Sequence, residues 1–264
     1  MSGRVTLVGG GPGDADLLTI AAVRALATAD VVLYDRLAPH EALADLAPGA
    51  DLVDVGKRPG HHALPQSGIE ALLVEHARAG RHAVRLKGGD PYVLGRGGEE
   101  VLACRRAGVP VAVVPGITSA IAVPAAAGIP LTHRGVSHLF TVVSGHAPLT
   151  EDELRHLAQL GGTLVVLMGV GTLPMLASGL ARHGLVPSTP VAIIERGHRP
   201  DQRTTIADLG GIVTAAGVVG VASPAVVVVG EVVRLAHDGD RSAAGTMARA
   251  AALAEAAVLA EAGA

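Results

Sequence analysis

Val5-Thr6-Leu7-Val8-Gly9 is a short aliphatic run closed by glycine, and Gly10-Gly11-Pro12-Gly13-Asp14 carries it into an apolar-periodic segment at Leu17–Ala27. A continuous apolar run of this length reads as a buried strand, and a glycine-rich turn into a helix makes the unit strand, loop, helix. The alternation repeats outward from this point. Further strands are expected at Val31–Tyr34, Leu52–Val55, His82–Leu86 and Val109–Val114. Helices fall between them at Ala38–Leu46, Gln66–Ala79 and Glu99–Ala107, the second with Ile69, Leu72, Leu73 and His76 on one face. Pro115-Gly116 marks a boundary, because a second series begins beyond it, with strands at Leu139–Ser144, Leu164–Met168, Val191–Glu195 and Ala225–Val229. Helical patterns there occupy Glu151–Leu160, Thr172–Arg182 and Ala207–Ala216. Strands alternating with helices specify the α/β class. The expectation is two α/β domains with mostly parallel sheets facing a central cleft, over residues 1–114 and 115–240. Residues 241–264 form an Ala-rich tail, of which Met247–Ala262 has helix propensity but few groups to anchor it.

Composition narrows the function. The 264 residues are 49% hydrophobic but only 1% aromatic, so Val, Leu, Ile and Ala must fill the core. Base stacking on aromatic platforms is therefore a poor expectation. A net charge of -3 and a pI near 6.4 also lack the basic footprint of nucleic-acid binding. The lone Cys104 cannot form an intrachain disulfide and the N-terminus shows no signal-peptide pattern, which together fit a reducing cytoplasm. Mean hydropathy is +0.44, and no charged residue occurs between Arg106 and Arg134. Pro110, Pro115, Gly116, Pro124, Gly128 and Pro130 nevertheless break that stretch into pieces too short to span a membrane. The only lysines are Lys57 and Lys87. Arg replaces most surface lysines readily but is no substitute for a proton-donating amine, so both merit separate consideration.

The Gly9–Asp14 loop sits where a dinucleotide fingerprint would sit, but fails as one. Asp14 replaces the third glycine, Pro12 offers no N–H, and Asp14 and Asp16 place negative charge where a pyrophosphate would lie. Either a nucleoside without phosphates binds here or the loop is a tight turn with Asp16 as helix cap. Arg85-Leu86-Lys87-Gly88-Gly89-Asp90-Pro91 also ends a strand, on the side where open parallel sheets bind ligands. Its glycines allow close backbone approach, and Asp90 can accept hydrogen bonds from hydroxyls or an ammonium. Gly95-Arg96-Gly97-Gly98-Glu99-Glu100 continues that loop into the next helix. No P-loop, H-E-x-x-H or G-x-S-x-G motif occurs, and His61-His62 has no partner at metal-ligand spacing. Tyr34-Asp35-Arg36 and Gly56-Lys57-Arg58 end neighbouring strands at one rim. A carboxylate and an ammonium meeting there serve either as base and acid or as an ordinary salt bridge.

Together these motifs resemble the uroporphyrinogen-III C-methyltransferases of the tetrapyrrole methylase superfamily. The resemblance runs from Val5 to about Val233 and adds Pro115-Gly116-Ile117-Thr118-Ser119-Ala120, Gly128-Ile129-Pro130-Leu131-Thr132-His133-Arg134 and Ser223-Pro224-Ala225 to the segments above. Gly11-Pro12-Gly13-Asp14 marks only the superfamily, whereas Arg85–Pro91 with Gly95–Glu100 is far more specific. The resemblance implies S-adenosylmethionine as methyl donor, with no metal, held by Pro12, Gly88, Gly89, Asp90, Val93, Thr118, Ser119, Met168 and Gly197, with Ala225 a weaker addition. It makes Asp35 the proton acceptor and Lys57 the proton donor. The implied product is precorrin-2, formed by two methylations with release of S-adenosylhomocysteine, and the implied assembly is a homodimer. Three departures from the family pattern touch contacts rather than chemistry: Glu70 for Asn, Tyr92-Val93-Leu94 for a Phe-Ile-Phe-like run, and His198 for Thr. The chain opens at the methylase strand, so a fused dehydrogenase and ferrochelatase module is not expected. Arg36, Arg58 and Arg96 are candidates for the substrate's carboxylates. The competing readings are a methylase for a later precorrin or a modified protein residue, a non-catalytic nucleoside-binding regulator, and a dehydrogenase that the broken fingerprint argues against.

Overall fold

The computed structural model describes residues 3–56 and 64–236. Lys57, Arg58, His61-His62 and the tail over 241–264 therefore lie outside the described residues. The chain divides into two compact units, residues 1–119 and 120–264.

The first unit is a doubly wound parallel sheet. Its elements run β1 (Arg4–Gly9), α1 (Ile20–Ala27), β2 (Val31–Tyr34), α2 (Leu43–Leu46), β3 (Asp51–Asp54), α3 (Gln66–Arg78), β4 (His82–Lys87), α4 (Gly97–Arg106) and β5 (Val111–Val114). The strands lie in the order β3-β2-β4-β1-β5, every pair parallel. Alternation along each strand divides the core. Val8, Val32, Val84 and Leu86 face Ala22 and Leu26 of α1 and Leu43 of α2. Leu7, Leu33 and Ala83 face Ile69, Leu73 and Ala77 of α3 and Val101 and Cys104 of α4. Spacing of four residues puts Ile69, Leu73 and Ala77 on one stripe of α3, and burying each large side chain stabilises by about 1.5–3 kcal/mol. The chain leaves β1 toward β2 over one face and leaves β4 toward β5 over the other. β1 and β4 are neighbours, so the switch point lies between their carboxyl ends, which is where open α/β sheets bind ligands.

The cap expected at Asp16 falls elsewhere. Asp14 caps a short 3-10 turn by accepting from the Asp16 N–H, and Thr19 caps α1 by accepting from the Ala22 N–H at 3.1 Å. A hydroxyl directly ahead of the helical segment captures the free amides, leaving Asp16 in the turn.

The second unit comprises α5 (Ser119–Ala126), whose first residue marks the division, then β6 (Phe140–Ser144), α6 (Glu151–Leu160), β7 (Thr163–Leu167), α7 (Leu173–Arg182), β8 (Pro190–Glu195), β9 (Arg203–Asp208), α8 (Ile212–Val219) and β10 (Ala225–Val229). The expectation of a mostly parallel sheet needs correction here. In the order β6-β7-β10-β8-β9 only β6 and β7 pair in parallel, while β10 runs antiparallel to both β7 and β8, and β9 to β8. The departure arises at Arg203–Asp208, which pairs with β8 as a strand over the first residues of the segment expected to be helical. Thr204 and Thr205 are β-branched and suit a strand, and the helix begins only at Ile212. Among the described residues no helix is long and apolar enough to cross a membrane.

Candidate active site

At the switch point of the first unit, two loops are stitched backbone to backbone and a third is tied to them through a side chain. Gly10 N–H donates to the Lys87 carbonyl at 2.7 Å, and Gly11 and Gly89 exchange hydrogen bonds at 3.2 and 2.6 Å. Asp90 binds the third loop, because one carboxylate oxygen accepts from Tyr92 N–H at 2.8 Å and the other from Gly116 N–H at 3.0 Å. The Gly9 and Gly116 backbones are in such close contact that a Cβ on Gly9 would lie 2.4 Å from Gly116 N. Gly88 is likewise filled in, since its Cβ would meet Leu37 Cβ at 2.6 Å. Gly89 differs. It has φ +68°, and its Cβ would enter space bounded by Ser119 N at 3.5 Å and Thr118 Cα at 3.8 Å. Of Gly88, Gly89 and Gly197, Gly89 alone leaves room for a Cβ; Leu37 fills that place at Gly88 and Val123 of the helix that begins at Ser119 fills it at Gly197. Pro12, Val93, Thr118 and Ser119 are all half-buried around this stitch.

Asp35 follows β2. Its Oδ1 accepts from Leu37 N–H at 3.1 Å and Gly88 N–H at 3.3 Å, and its Oδ2 meets Arg85 Nη2 at 3.4 Å. Arg85 is buried under α4, as is Lys87, and both donate to Oε1 of Glu100, at 3.3 and 3.0 Å. Burial, reinforced by the Arg85 charge, lowers the Lys87 ammonium below its usual range, although Glu100 pulls the other way. Arg36 donates to Asp54 at 3.3 Å, and Arg96 forks onto Glu99 at 2.8 and 2.7 Å.

In the second unit, Met168, Gly197 and Ala225 share one end of the sheet. Met168 follows β7, is 46% exposed and has φ +60°. Ala225 opens β10 opposite Glu195, after the cis Ser223–Pro224 peptide. Gly197 lies between Arg196 and His198, both left-handed, with its Cβ position 2.7 Å from Val123 Cγ1. His198, one of the departures from the family pattern, shares a hydrogen bond with the Ala122 carbonyl at 2.9 Å through Nε2 and so ties this turn to α5. Burial alone would raise the Glu195 carboxyl, but Arg203, at 2.5 and 2.8 Å, and the Ala222 N–H hold it below the usual range.

The structure thus gathers Pro12, Gly88, Gly89, Asp90, Thr118 and Ser119 in one unit, with Val93 one turn beyond Asp90, and Met168, Gly197 and Ala225 in the other. Lys57 lies outside the described residues. The sequence reading passed over the part played by Arg85, Lys87 and Glu100. Two cations two residues apart on a strand buried on both faces were the signal, because such charges require a buried anion.

The donor set fits a nucleoside that carries no phosphate. Both cations of β4 are turned into the protein toward Glu100, and the open loops offer backbone groups, hydroxyls and the Gly89 cradle. Among the described residues no three His, Cys, Asp or Glu side chains are grouped to hold a metal.

A doubly wound sheet whose glycine-rich loops meet at the switch point, with a donor set suited to a phosphate-free nucleoside, defines the class. Comparison with known proteins gives the family. Residues 4–213 match the family model of the Tetrapyrrole (Corrin/Porphyrin) Methylases, so the chain belongs to that family. It is 49% identical over 241 residues to the S-adenosyl-L-methionine-dependent uroporphyrinogen III methyltransferase of Methanosarcina barkeri, covering 89% of this chain and 94% of the relative. A siroheme synthase of Gluconacetobacter diazotrophicus is 48% identical over 88% of this chain, which spans only 50% of that longer protein. The crystal structure of uroporphyrin-III C-methyl transferase from Thermus thermophilus complexed with S-adenyl homocysteine superposes with a TM-score of 0.74, at 48% identity over 88% of this chain and 100% of the other.

Proposed function

We propose that this chain is an S-adenosylmethionine-dependent C-methyltransferase that converts uroporphyrinogen III to precorrin-2 by two successive methylations, releasing S-adenosylhomocysteine each time. One observation carries the reading: 49% identity, over 89% of this chain and 94% of the relative, to an S-adenosyl-L-methionine-dependent uroporphyrinogen III methyltransferase. The methyl donor supplies an electrophilic carbon already activated by sulfonium, so neither a metal nor a covalent nucleophile is needed. The protein's task is to hold the donor and a pyrrole carbon in line, an arrangement that lowers such barriers by about 7–11 kcal/mol. Pro12, Gly88, Gly89, Asp90, Val93, Thr118, Ser119, Met168, Gly197 and Ala225 are assigned to the donor. Asp90 acts partly by anchoring the loop that carries Thr118 and Ser119, since both its oxygens are engaged by backbone amides. Each transfer forms a C–C bond as the S–C bond breaks, its electron pair leaving on S-adenosylhomocysteine. Asp35 accepts the one net proton that the methylated macrocycle sheds, and a proton that Lys57 donates as the macrocycle rearranges is matched by a second that leaves to solvent. Arg36, Arg58 and Arg96 are assigned to substrate carboxylates, with Asp54 and Glu99 releasing the first and last. The enzyme works in the cytoplasm as a homodimer and engages neither nucleic acid nor membrane.

Incubation with uroporphyrinogen III and methyl-labelled S-adenosylmethionine tests the reading. Two labelled methyls per macrocycle are expected. None, or labelling only of a later precorrin or of protein, refutes it.

A further inference from the structure

Glu100 has no role in the function assigned above. It is fully buried in α4, and Gln66 Nε2, Arg85 Nε and Lys87 Nζ converge on its Oε1 at 3.1, 3.3 and 3.0 Å. Its Oε2 is buried without a hydrogen-bond partner. Stability alone does not account for such a cluster. Desolvating several ions is costly, apolar residues of equal volume often pack as well or better, and an unmatched carboxylate oxygen worsens the balance.

The cluster does, however, fix Arg85. The guanidinium is planar, so securing two of its edges aims the third. Its Nε is held by Glu100 at 3.3 Å, its Nη1 by the carbonyls of Leu33 and Leu86 at 3.3 and 2.7 Å, and its Nη2 then reaches Asp35 Oδ2 at 3.4 Å. Asp35 in turn accepts from the Gly88 and Leu37 amides. Lys87 also lies within electrostatic reach of Asp35, but its ammonium is hydrogen-bonded to Glu100.

We propose that Glu100 is a positioning residue for the methylation: acting through Arg85, it fixes the orientation of the Asp35 carboxylate against Gly88 and keeps Lys87 from competing for it. The proposal rests on the reading of Asp35 as proton acceptor. Its structural half can be measured separately.

Glu100→Gln retains the side-chain shape and one acceptor oxygen while removing the charge. Turnover on uroporphyrinogen III should fall roughly tenfold in the otherwise native enzyme, and less than about twofold in an Asp35→Asn background, because coupled neighbours do not add. Affinity for S-adenosylhomocysteine, measured by calorimetry, should stay within about twofold, as independent sites do. Hydrogen exchange supplies a readout apart from activity. The Gly88 and Leu37 amides, which donate to Asp35, should exchange faster in Glu100→Gln, while the Tyr92 and Gly116 amides, which donate to Asp90, should not change. If the lost charge prevents folding, Lys87→Met with Glu100→Gln restores the charge balance and should show the same local exchange. Equal fold-losses in both backgrounds, or faster exchange at all four amides, would make Glu100 merely structural and overturn the proposal. Unchanged exchange at Gly88 and Leu37 in a folded variant overturns it too. Full turnover by Asp35→Asn would instead overturn the catalytic half by removing Asp35 from the chemistry, leaving exchange to decide whether Glu100 orients it.

Discussion

Replacing Gly89 by alanine separates the cost of a strained backbone from the cost of a blocked ligand. At φ +68° a residue with a Cβ pays about 1–2 kcal/mol. No collision adds to this, because the nearest atom to the new Cβ is Ser119 N at 3.5 Å, an ordinary contact. For a chain of this size 1 kcal/mol lowers Tm by about 2–4 °C, so Gly89→Ala should melt only a few degrees early. The same methyl occupies the cradle beside Thr118 and Ser119, and S-adenosylhomocysteine affinity should fall on the order of tenfold or more, the equivalent of about 1.4 kcal/mol. Gly116→Ala supplies the contrast: its Cβ would lie 2.4 Å from the Gly89 carbonyl oxygen, backbone against backbone, and the fold itself should be compromised. Calorimetry with S-adenosylhomocysteine, run beside thermal melts of both variants, makes the comparison. If Gly89→Ala binds within twofold of the native protein, the cradle is not part of the donor site. If it melts as early as Gly116→Ala, Gly89 is required for the fold and the proposed separation is wrong.

Asp35→Asn and Lys57→Met should each lower turnover while leaving donor affinity nearly unchanged, and they should alter different limbs of the pH–rate profile; steady-state kinetics across pH checks both. Cys104 is buried with its thiol pushed up to about 11, chiefly by burial and then by Glu100 and Glu70, so thiol reagents should label it only after unfolding. His82 is lowered first by burial and also by Arg4, against the opposing pull of the Thr28 carbonyl and Asp30. Its folded form therefore favours the neutral ring, and the stability this confers is full above about pH 6.5 and lost as pH falls from there through the folded value. His82→Gln should accordingly narrow the gap in urea midpoint between pH 7.5 and pH 5.5, and an unchanged gap would exclude His82 as a source of acid sensitivity.

Much of the first unit was legible because local pattern and tertiary context agree there. Runs such as Val31–Tyr34 lie buried on both faces, and the stripe of Ile69 and Leu73 meets the sheet as its spacing implies. Where they disagree, the pattern misled. Ala207–Ala216 reads as a helix throughout, yet Ala207 and Asp208 end the strand Arg203–Asp208 that pairs with β8, and the helix starts at Ile212. Backbone pairing across the sheet overrides so short a local preference. The missed helix α5 has a related cause. Pro124 and the glycines around it read as interruptions, but Ser119–Ala126 is helical with Pro124 inside it, near the C-terminal end, and its buried Ala120 and Val123 pack in the core of the unit.

The site was legible in position and only partly in mechanism. A glycine marks a backbone with a close neighbour or a special φ, but not what the neighbour is. At Gly9 and Gly116 it is another loop, at Gly88 it is Leu37, and at Gly89 it is the Thr118-Ser119 backbone at ordinary contact distance, with room for a Cβ. Charge was harder to read. Arg85 and Lys87 precede a glycine-rich loop, an order that in isolation suits a phosphate as well as a buried carboxylate, because strand alternation alone does not name the partner beneath. That partner is Glu100, fifteen and thirteen residues further on, a separation that α4 closes. Once both cations are bound there, the loops above have backbone and hydroxyl groups to offer but no buried cation to match a phosphate. The pairing of both cations with Glu100 therefore agrees with the broken fingerprint at Gly9–Asp14: both favour a donor that carries no phosphate.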